Sequence, residues 1–205
     1  MENKFKIIGY SGHSFVILDS AIKLKLICTG YYDRKIKEFN PFNIDYLGLE
    51  DSIVSKERIF ITIGDNKIRR NIYENLIKKN NITFLNIIDP TSTVSKFAYI
   101  KPESSISIGI NSVINSLVKI GTGVIVNTAS IIEHEVKIKK FSHIGPNATV
   151  CGGVSIGENV FVGAGAVIKE GVRIGDNSII GAGAIVLKDI PANTTYVGNP
   201  AKKIK

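Results

Sequence analysis

The spacing of apolar residues changes once along this chain, near residue 88, and the change divides it into two parts. In the first part short apolar runs alternate with longer amphipathic ones. FKIIGY (5–10) reads as a buried strand, SFVILDSAIKL (14–24) as a helix and KLICTGYY (25–32) as a second strand. RIFITIG (58–64) predicts a third strand, NKIRRNIYENLIKKN (66–80) an amphipathic helix, and ITFLNII (82–88) a fourth strand. That alternation is the βαβ signature of a small parallel, Rossmann-like α/β domain, placed at residues 1–88.

Beyond it the period becomes six. Ile108, Ile114, Ile120, Val126, Ile132, Ile138, Ile144, Val150, Ile156, Val162, Ile168, Ile174, Ile180 and Val186 follow one another without a slip. Two places before these positions stand small or β-branched residues such as Val118, Val136, Ala148, Val160 and Ala184, and glycine often follows, as at Gly109, Gly145 and Gly181. A helix repeats every 3.6 residues and a flat strand every two, so neither explains this spacing. A solenoid does: each unit is a short strand plus a corner, the aliphatic residue fills the interior and glycine is expected to relax the corner backbone. Three units make a coil of about 18 residues, so residues 108–186 give about four coils, stacked roughly 4.8 Å apart. The predicted second domain, residues 89–205, is this parallel β-helix.

Composition narrows the class only a little. With 44% hydrophobic and 21% charged residues the chain is ordinary globular material. A net charge of +8 invites a nucleic-acid reading, but the basic residues are dispersed and aromatic residues do not alternate with them in any block. Lys202, Lys203 and Lys205 form the densest basic cluster, consistent with a solvated tail or with attraction to a phosphate-bearing ligand. Cys28 and Cys151 are too few and too separated for a disulfide framework or a paired-cysteine metal site. The stretch MENKFKIIGY lacks the apolar run of a signal peptide and no segment is long enough to span a bilayer, so a cytoplasmic protein without membrane insertion is expected.

A solenoid has no need of histidine, yet two of the three histidines, His134 and His143, lie in NTASIIEHEVKIKKFSHIG (127–145), outside the aliphatic phase. Glu133 and Glu135 bracket His134, and a carboxylate beside an imidazole favours the protonated ring, which suits a general base. Strand alternation points neighbours to opposite faces, so pairing with Glu135 requires the backbone to turn there. The two histidines are half a coil apart, on different faces of one solenoid, so they serve one site most directly if they come from different subunits.

The unbroken hexapeptide series and the ending VGNPAKKIK (197–205) resemble the hexapeptide-repeat acyltransferases, whose fold is a left-handed parallel β-helix. Together with the α/β domain and NTASIIEHEVKIKKFSHIG, the chain resembles more closely the nucleotide-aminosugar N-acetyltransferases of that superfamily, a group that includes bacillosamine-pathway, perosamine and sialic acid acetyltransferases. The resemblance implies acetyl-CoA as co-substrate and no metal. It gives His134 as general base and Glu135 as the acid that raises its basicity. It also gives His143, with the backbone near Ala164 and Ala182, as the acetyl-CoA site, and Asn127 as a residue lining that site. A homotrimer with active sites between subunits is the implied assembly.

In the first domain IIGYSGHS (7–14) joins a strand to a helix, where free N–H groups can receive a phosphate. It is an incomplete dinucleotide fingerprint, since Gly9 and Gly12 do not complete G-x-G-x-x-G. By resemblance Ser11, Gly12, His13 and Gly64 contact a nucleotide-sugar, with Asp65, Asn66 and Arg69 beside Gly64. The family often has glycine at Ser14, and an acidic pair where GYYDRK leaves only Asp33, which the resemblance implies as a further substrate-binding residue. UDP is the first choice of nucleotide and GDP the second, for transfer to the 4-amino group of an amino-dideoxy sugar. The alternatives are a sialic acid O-acetyltransferase, a GDP-perosamine-type N-acetyltransferase and a non-catalytic nucleotide-sugar-binding protein. A carbonic anhydrase of similar architecture needs three histidines on one zinc, and only two lie in the solenoid.

Overall fold

The computed structural model describes residues 3–53, 56–79 and 82–205. The first domain is a parallel sheet of β1 (Lys4–Ile8), β2 (Ile27–Tyr32), β3 (Asp45–Tyr46), β4 (Glu57–Ile61) and β5 (Ile82–Phe84), in the order β3-β2-β1-β4-β5. Strands buried on both faces need apolar residues at successive positions, which is what Ile7–Ile8 and Ile59–Phe60–Ile61 supply. One face is covered by α1 (Gly12–Lys23), through Ile17, Leu18 and Ala21 against Phe5 and Ile7. The other is covered by α2 (Asn66–Leu76), through Tyr73 and Leu76 against Ile8, Ile59 and Ile61. Asn80, at the end of the second predicted helix, lies outside the described residues.

The strand order reverses between β1 and β4, so the turns after these two strands flank the crevice in which open α/β sheets take ligands. The two helix N-termini begin there. Ser14 closes the start of α1 by accepting the Ser11 N–H at 2.9 Å and donating to the Ser11 carbonyl at 2.6 Å. Ser14 therefore holds the turn that carries Ser11, Gly12 and His13. Asp65 caps α2 by accepting the Ile68 N–H at 2.9 Å.

The predicted fourth strand is two. Residues Ile82–Phe84 finish the first sheet, and Ile87–Ile88 already pair in the solenoid. Asn86 makes the break: its carbonyl oxygen accepts the Ser104 and Ile106 N–H groups, and its amide donates to the Lys101 carbonyl at 2.7 Å. A continuous apolar run could not report that a single asparagine redirects the chain.

From Ile87 on, two-residue strands stack in register into three parallel sheets, the faces of a triangular prism. The first face holds Ser107–Ile108, Ile125–Val126, His143–Ile144, Phe161–Val162 and Ile179–Ile180. The second holds Val113–Ile114, Ile131–Ile132, Thr149–Val150, Val167–Ile168 and Ile185–Val186. The third holds Lys119–Ile120, Lys137–Ile138, Ser155–Ile156 and Arg173–Ile174. In each pair the second residue points inward, and every aliphatic residue of the six-residue series is in the buried core, with Val118, Val136, Ala148, Val160 and Ala184 packed beside them. The helix begins earlier than the unbroken series, because Thr93–Val94 and Tyr99–Ile100 are strands of its first coil. The basic ending is not a free tail: Lys202–Lys203 pairs antiparallel with Thr195–Val197 and closes the solenoid.

The glycines after the interior residues do a different job from the one expected. A Cβ on Gly109 would sit 2.8 Å from Thr128 N, and one on Gly145 would sit 2.7 Å from the Val162 carbonyl oxygen. They allow neighbouring coils to approach. The left-handed corner conformation falls later in the turn, on Asn111, Glu135, Asn147, Asn159, Asn177 and several other glycines.

The domains share a packed junction. Ser20 and Lys23 of α1 reach the buried carboxylate of Asp89 at 2.6 and 2.9 Å. Burial opposes ionisation of that carboxyl, but hydrogen bonds from Ser20, Thr91 and Lys23 outweigh it and hold it well below the ordinary carboxylate range. On the other side the solenoid corner residue Phe141 enters the core beneath α2, edge-on to Tyr73 at 5.5 Å.

Candidate active site

Four of the expected residues meet where the α/β crevice abuts the first face of the solenoid. His143 leaves the outer position of its strand, and its Nδ1 lies 3.3 Å from the Gly64 carbonyl oxygen while its Nε2 lies 3.2 Å from Asn127 Nδ2. Asn127 accepts the Thr128 N–H through Oδ1 at 2.8 Å, which turns its amide nitrogen toward the imidazole. His143 therefore donates from Nδ1 to Gly64 and accepts at Nε2 from Asn127, the neutral ring in one tautomer. The His13 ring stands 6.3 Å away and that of Phe161 5.2 Å away. His13, Gly109 and Asn127 line a narrow cleft between α1 and the solenoid.

Arg69 organises this junction. Residues 66, 69, 73 and 76 form the buried stripe of α2, so the helix turns Asn66 and Arg69 inward and leaves Ile68 exposed. The fully buried guanidinium donates to the carbonyls of Ile63 and Gly64 in the turn after β4, and to those of Gly123 and Phe141 in two solenoid corners. It also donates to Asn66 Oδ1 at 2.8 Å, and Asn66 in turn donates to the Val160 carbonyl at 3.0 Å. Burial, with Arg69 as a second cause, pulls both His143 and His13 down to about 4. Both rings are neutral at physiological pH, and one buried cation serves the whole cluster.

In front of these groups opens a pocket of about 590 Å³ lined by Gly64, Asp65, Asn66, Lys67, His143, Asn159, Phe161, Asn177 and Ile179. Sequence reasoning missed its far wall. Phe161 and Ile179 occupy the outer position of successive strands above His143, and Asn159 donates to Asn177 at 2.9 Å in the neighbouring corner. The signal was an interval of 18 residues in outward positions, beside the aliphatic series. Arg69 was legible as a charge on the buried stripe of an amphipathic helix.

The remaining expected residues are not among those that line this pocket. Ser11 and Gly12 stand at the end of β1. Asp33, at the end of β2, spends its carboxylate on protein donors: the Tyr10 N–H at 3.0 Å, the Arg34 N–H at 2.7 Å and Lys37 Nζ at 3.0 Å. Burial again works against ionisation, and these bonds keep the Asp33 carboxyl below its usual range. Ala164 and Ala182 are exposed in the corner column that also contains Asn127 and Thr128, one and two coils further on from Pro146.

His134 and Glu135 are elsewhere, in the corner between the second and third faces. Glu135 adopts φ 62°, the turn that its pairing with a neighbouring histidine required. His134 Nδ1 lies 3.1 Å from Glu135 Oε2, whereas Glu133 accepts from Asn115 Nδ2 at 2.9 Å. With Nδ1–H held by Glu135, Nε2 is the free basic nitrogen, and the side chain is 61% exposed. The three histidines thus occupy two places in one chain. Among the described residues no group of three or more His, Cys, Asp or Glu is arranged to hold a metal ion.

Residues 4–76 match the PglD N-terminal domain family, and residues 135–170 and 153–188 match the bacterial transferase hexapeptide family of six repeats. The acetyltransferase domain of PglB from Neisseria gonorrhoeae FA1090 is 30% identical over 98% of this chain and 100% of that chain, with a TM-score of 0.89. The structure of that domain in complex with acetyl coenzyme A is similar at 29% identity over 98% and 99% of the two chains, with a TM-score of 0.89. A variant of perosamine N-acetyltransferase from Caulobacter crescentus, in complex with CoA and GDP-perosamine, matches at 28% identity over 98% and 97%, with a TM-score of 0.90. The similarity spans both domains and the junction between them, and the chain belongs to the nucleotide-aminosugar N-acetyltransferases of the hexapeptide-repeat superfamily.

Proposed function

We propose that this protein transfers the acetyl group of acetyl-CoA to the 4-amino group of a nucleotide-linked amino-dideoxy sugar, with UDP as the nucleotide and His134 as the general base. The observation that carries the reading is the free Nε2 of His134, set by the Nδ1 contact with Glu135 at 3.1 Å. The sugar amine attacks the thioester carbonyl carbon as Nε2 takes its proton. The tetrahedral intermediate then collapses, the C–S bond breaks and the CoA sulfur leaves, receiving a proton from the imidazolium. The amine is itself a competent nucleophile, so positioning supplies much of the acceleration.

The nucleotide diphosphate is assigned to the crevice between the N-termini of α1 and α2, where Ser11, Gly12, His13 and Gly64 present backbone and Lys67 adds a charge. Asp33 acts there by holding the turn after β1. His143 and Asn127, with the corner at Ala164 and Ala182, are assigned to acetyl-CoA. Both ring nitrogens of His143 already hold protein partners, so it meets ligand through its ring edge.

His134 and His143 lie in different parts of one coil, and a homotrimer brings His134 of a neighbouring subunit to the pocket. The faces support this: the third presents Lys119, Lys137 and Arg173, while Ile131 on the second and Phe161 and Ile179 on the first are exposed apolar residues suited to a subunit contact. The cytoplasm, the compartment of free thiols such as Cys28 and Cys151, is the assigned location.

The test is thiol release from acetyl-CoA with a panel of acceptors, read as kcat/KM. The expected order places a UDP-4-amino-4,6-dideoxy sugar first. Preference for a GDP-linked sugar would move the assignment to the perosamine type, the second reading, which the likeness to the GDP-perosamine-bound enzyme favours. Turnover with sialic acid alone would replace N- by O-acetylation, and binding without thiol release would make the protein a non-catalytic binder.

A further inference from the structure

The corner that carries His134 repeats in each coil, and its first turn position is filled by Ser116, His134, Gly152 and Glu170 in succession. Gly152 alone is bare. The second turn position is the one that needs a left-handed backbone, and Leu117, Glu135, Gly153 and Gly171 take it with φ of 64°, 62°, 69° and 71°. Gly152 has no such φ, so the turn itself accepts any residue there. What a side chain at 152 would meet is the imidazole one coil away: a Cβ would stand 2.6 Å from His134 Cε1 and 2.7 Å from Nε2, closer than van der Waals contact allows. By contrast a Cβ at Gly153 would meet nothing within 4 Å.

We propose that Gly152 is a positioning residue whose missing side chain provides the seat for His134, holding the ring against Glu135 with Nε2 presented to the reacting amine. The proposal rests on the reading of His134 as the base. The ring is largely exposed and has one side-chain hydrogen bond, to Glu135, so the flat surface of the next coil is its second support. A methyl group at 152 cannot be absorbed by the backbone between Cys151 and Gly153, since Gly153 N–H is tied to the His134 carbonyl at 2.9 Å and Cys151 N–H to the Ile168 carbonyl at 3.0 Å. The ring must swing away.

The test is a double-mutant cycle of Gly152→Ala and His134→Ala, read by kcat, KM and Tm on the assembled enzyme. Gly152→Ala is expected to lower kcat by about 100-fold, the scale set by misplacing a catalytic group by about 1 Å, with KM for both substrates nearly unchanged. In the His134→Ala background the same substitution should leave residual turnover unchanged and cost less Tm than in the wild type. Equal loss of Tm in both backgrounds would overturn the seat and make Gly152 a structural residue. An unchanged kcat in Gly152→Ala, with His134→Ala inactive, would overturn the positioning role alone. Full turnover by His134→Ala would sink the base assignment itself, and the stability coupling would still report whether the seat exists.

Discussion

His13, His143 and Arg69 are three basic side chains packed into one junction, and the arrangement holds because two of them stay neutral. The folded-state value of both histidines is about 4, against 6.5 for the free side chain. The unfolded chain therefore binds more protons between these limits, so stability is fully present above about pH 6.5 and falls as pH drops toward 4. Urea midpoints measured from pH 7 to 4.5 should decline, with up to about 3 kcal/mol at stake per ring. His143→Asn should flatten the decline, and an unchanged slope would remove His143 from its cause. Arg69→Met should destabilise by at least about 3 kcal/mol in the same assay, because it leaves several buried carbonyls without donors. This residue-scale design was half legible. His134 and Glu135 could be singled out in a repeat that needs no histidine, and their proposed role rests on the contact between them. His143 could be grouped with Asn127, Ala164 and Ala182 but not with Gly64, its partner 79 residues away in sequence.

At the scale of elements, each domain could be read from its own period, but the seam between them could not. ITFLNII gave no sign that Asn86 would end one sheet and open another, since its three bonds go to residues 101, 104 and 106. Glycines in a hexapeptide suggested corner backbone freedom. For those that follow the interior residues, such as Gly109 and Gly145, the reason is the distance to the next coil, a quantity that exists only once the coils are stacked. The seam is where a small change should travel. Asp89→Asn keeps the shape but replaces the charge that Ser20 and Lys23 hold, and should cost about 1.5–3 kcal/mol at neutral pH. The Asp89 contribution is present above the ordinary carboxylate range and is lost as pH falls below it, so the difference between wild type and variant should shrink in acid. A difference independent of pH would mean that the bond pattern, and not the ionised carboxylate, carries the effect.

For the whole molecule, the solenoid carries two distant sets of side chains, the His143 cluster under the α/β domain and the His134 corner beyond it. Its interior residues form one unbroken buried column, and Ile132→Ala, beneath the His134 turn, should cost about 2–5 kcal/mol by leaving a cavity. On the proposed assignment of His134 as the base, neither set is a complete catalytic site in one chain, which is why the proposed assembly matters. Light scattering should give about 67 kDa, three chains of 22.3 kDa, and a monomer that retains full turnover would contradict the shared site. The central claim is chemical, and one comparison reaches it most directly: thiol release from acetyl-CoA with a UDP-4-amino-4,6-dideoxy sugar by the wild type and by His134→Ala, each at the same assembled mass. The account predicts a loss of about 10²–10⁴-fold in kcat with an unchanged Tm, since the side chain is exposed and outside the core. Turnover within a few-fold of wild type in a folded, assembled variant would contradict it.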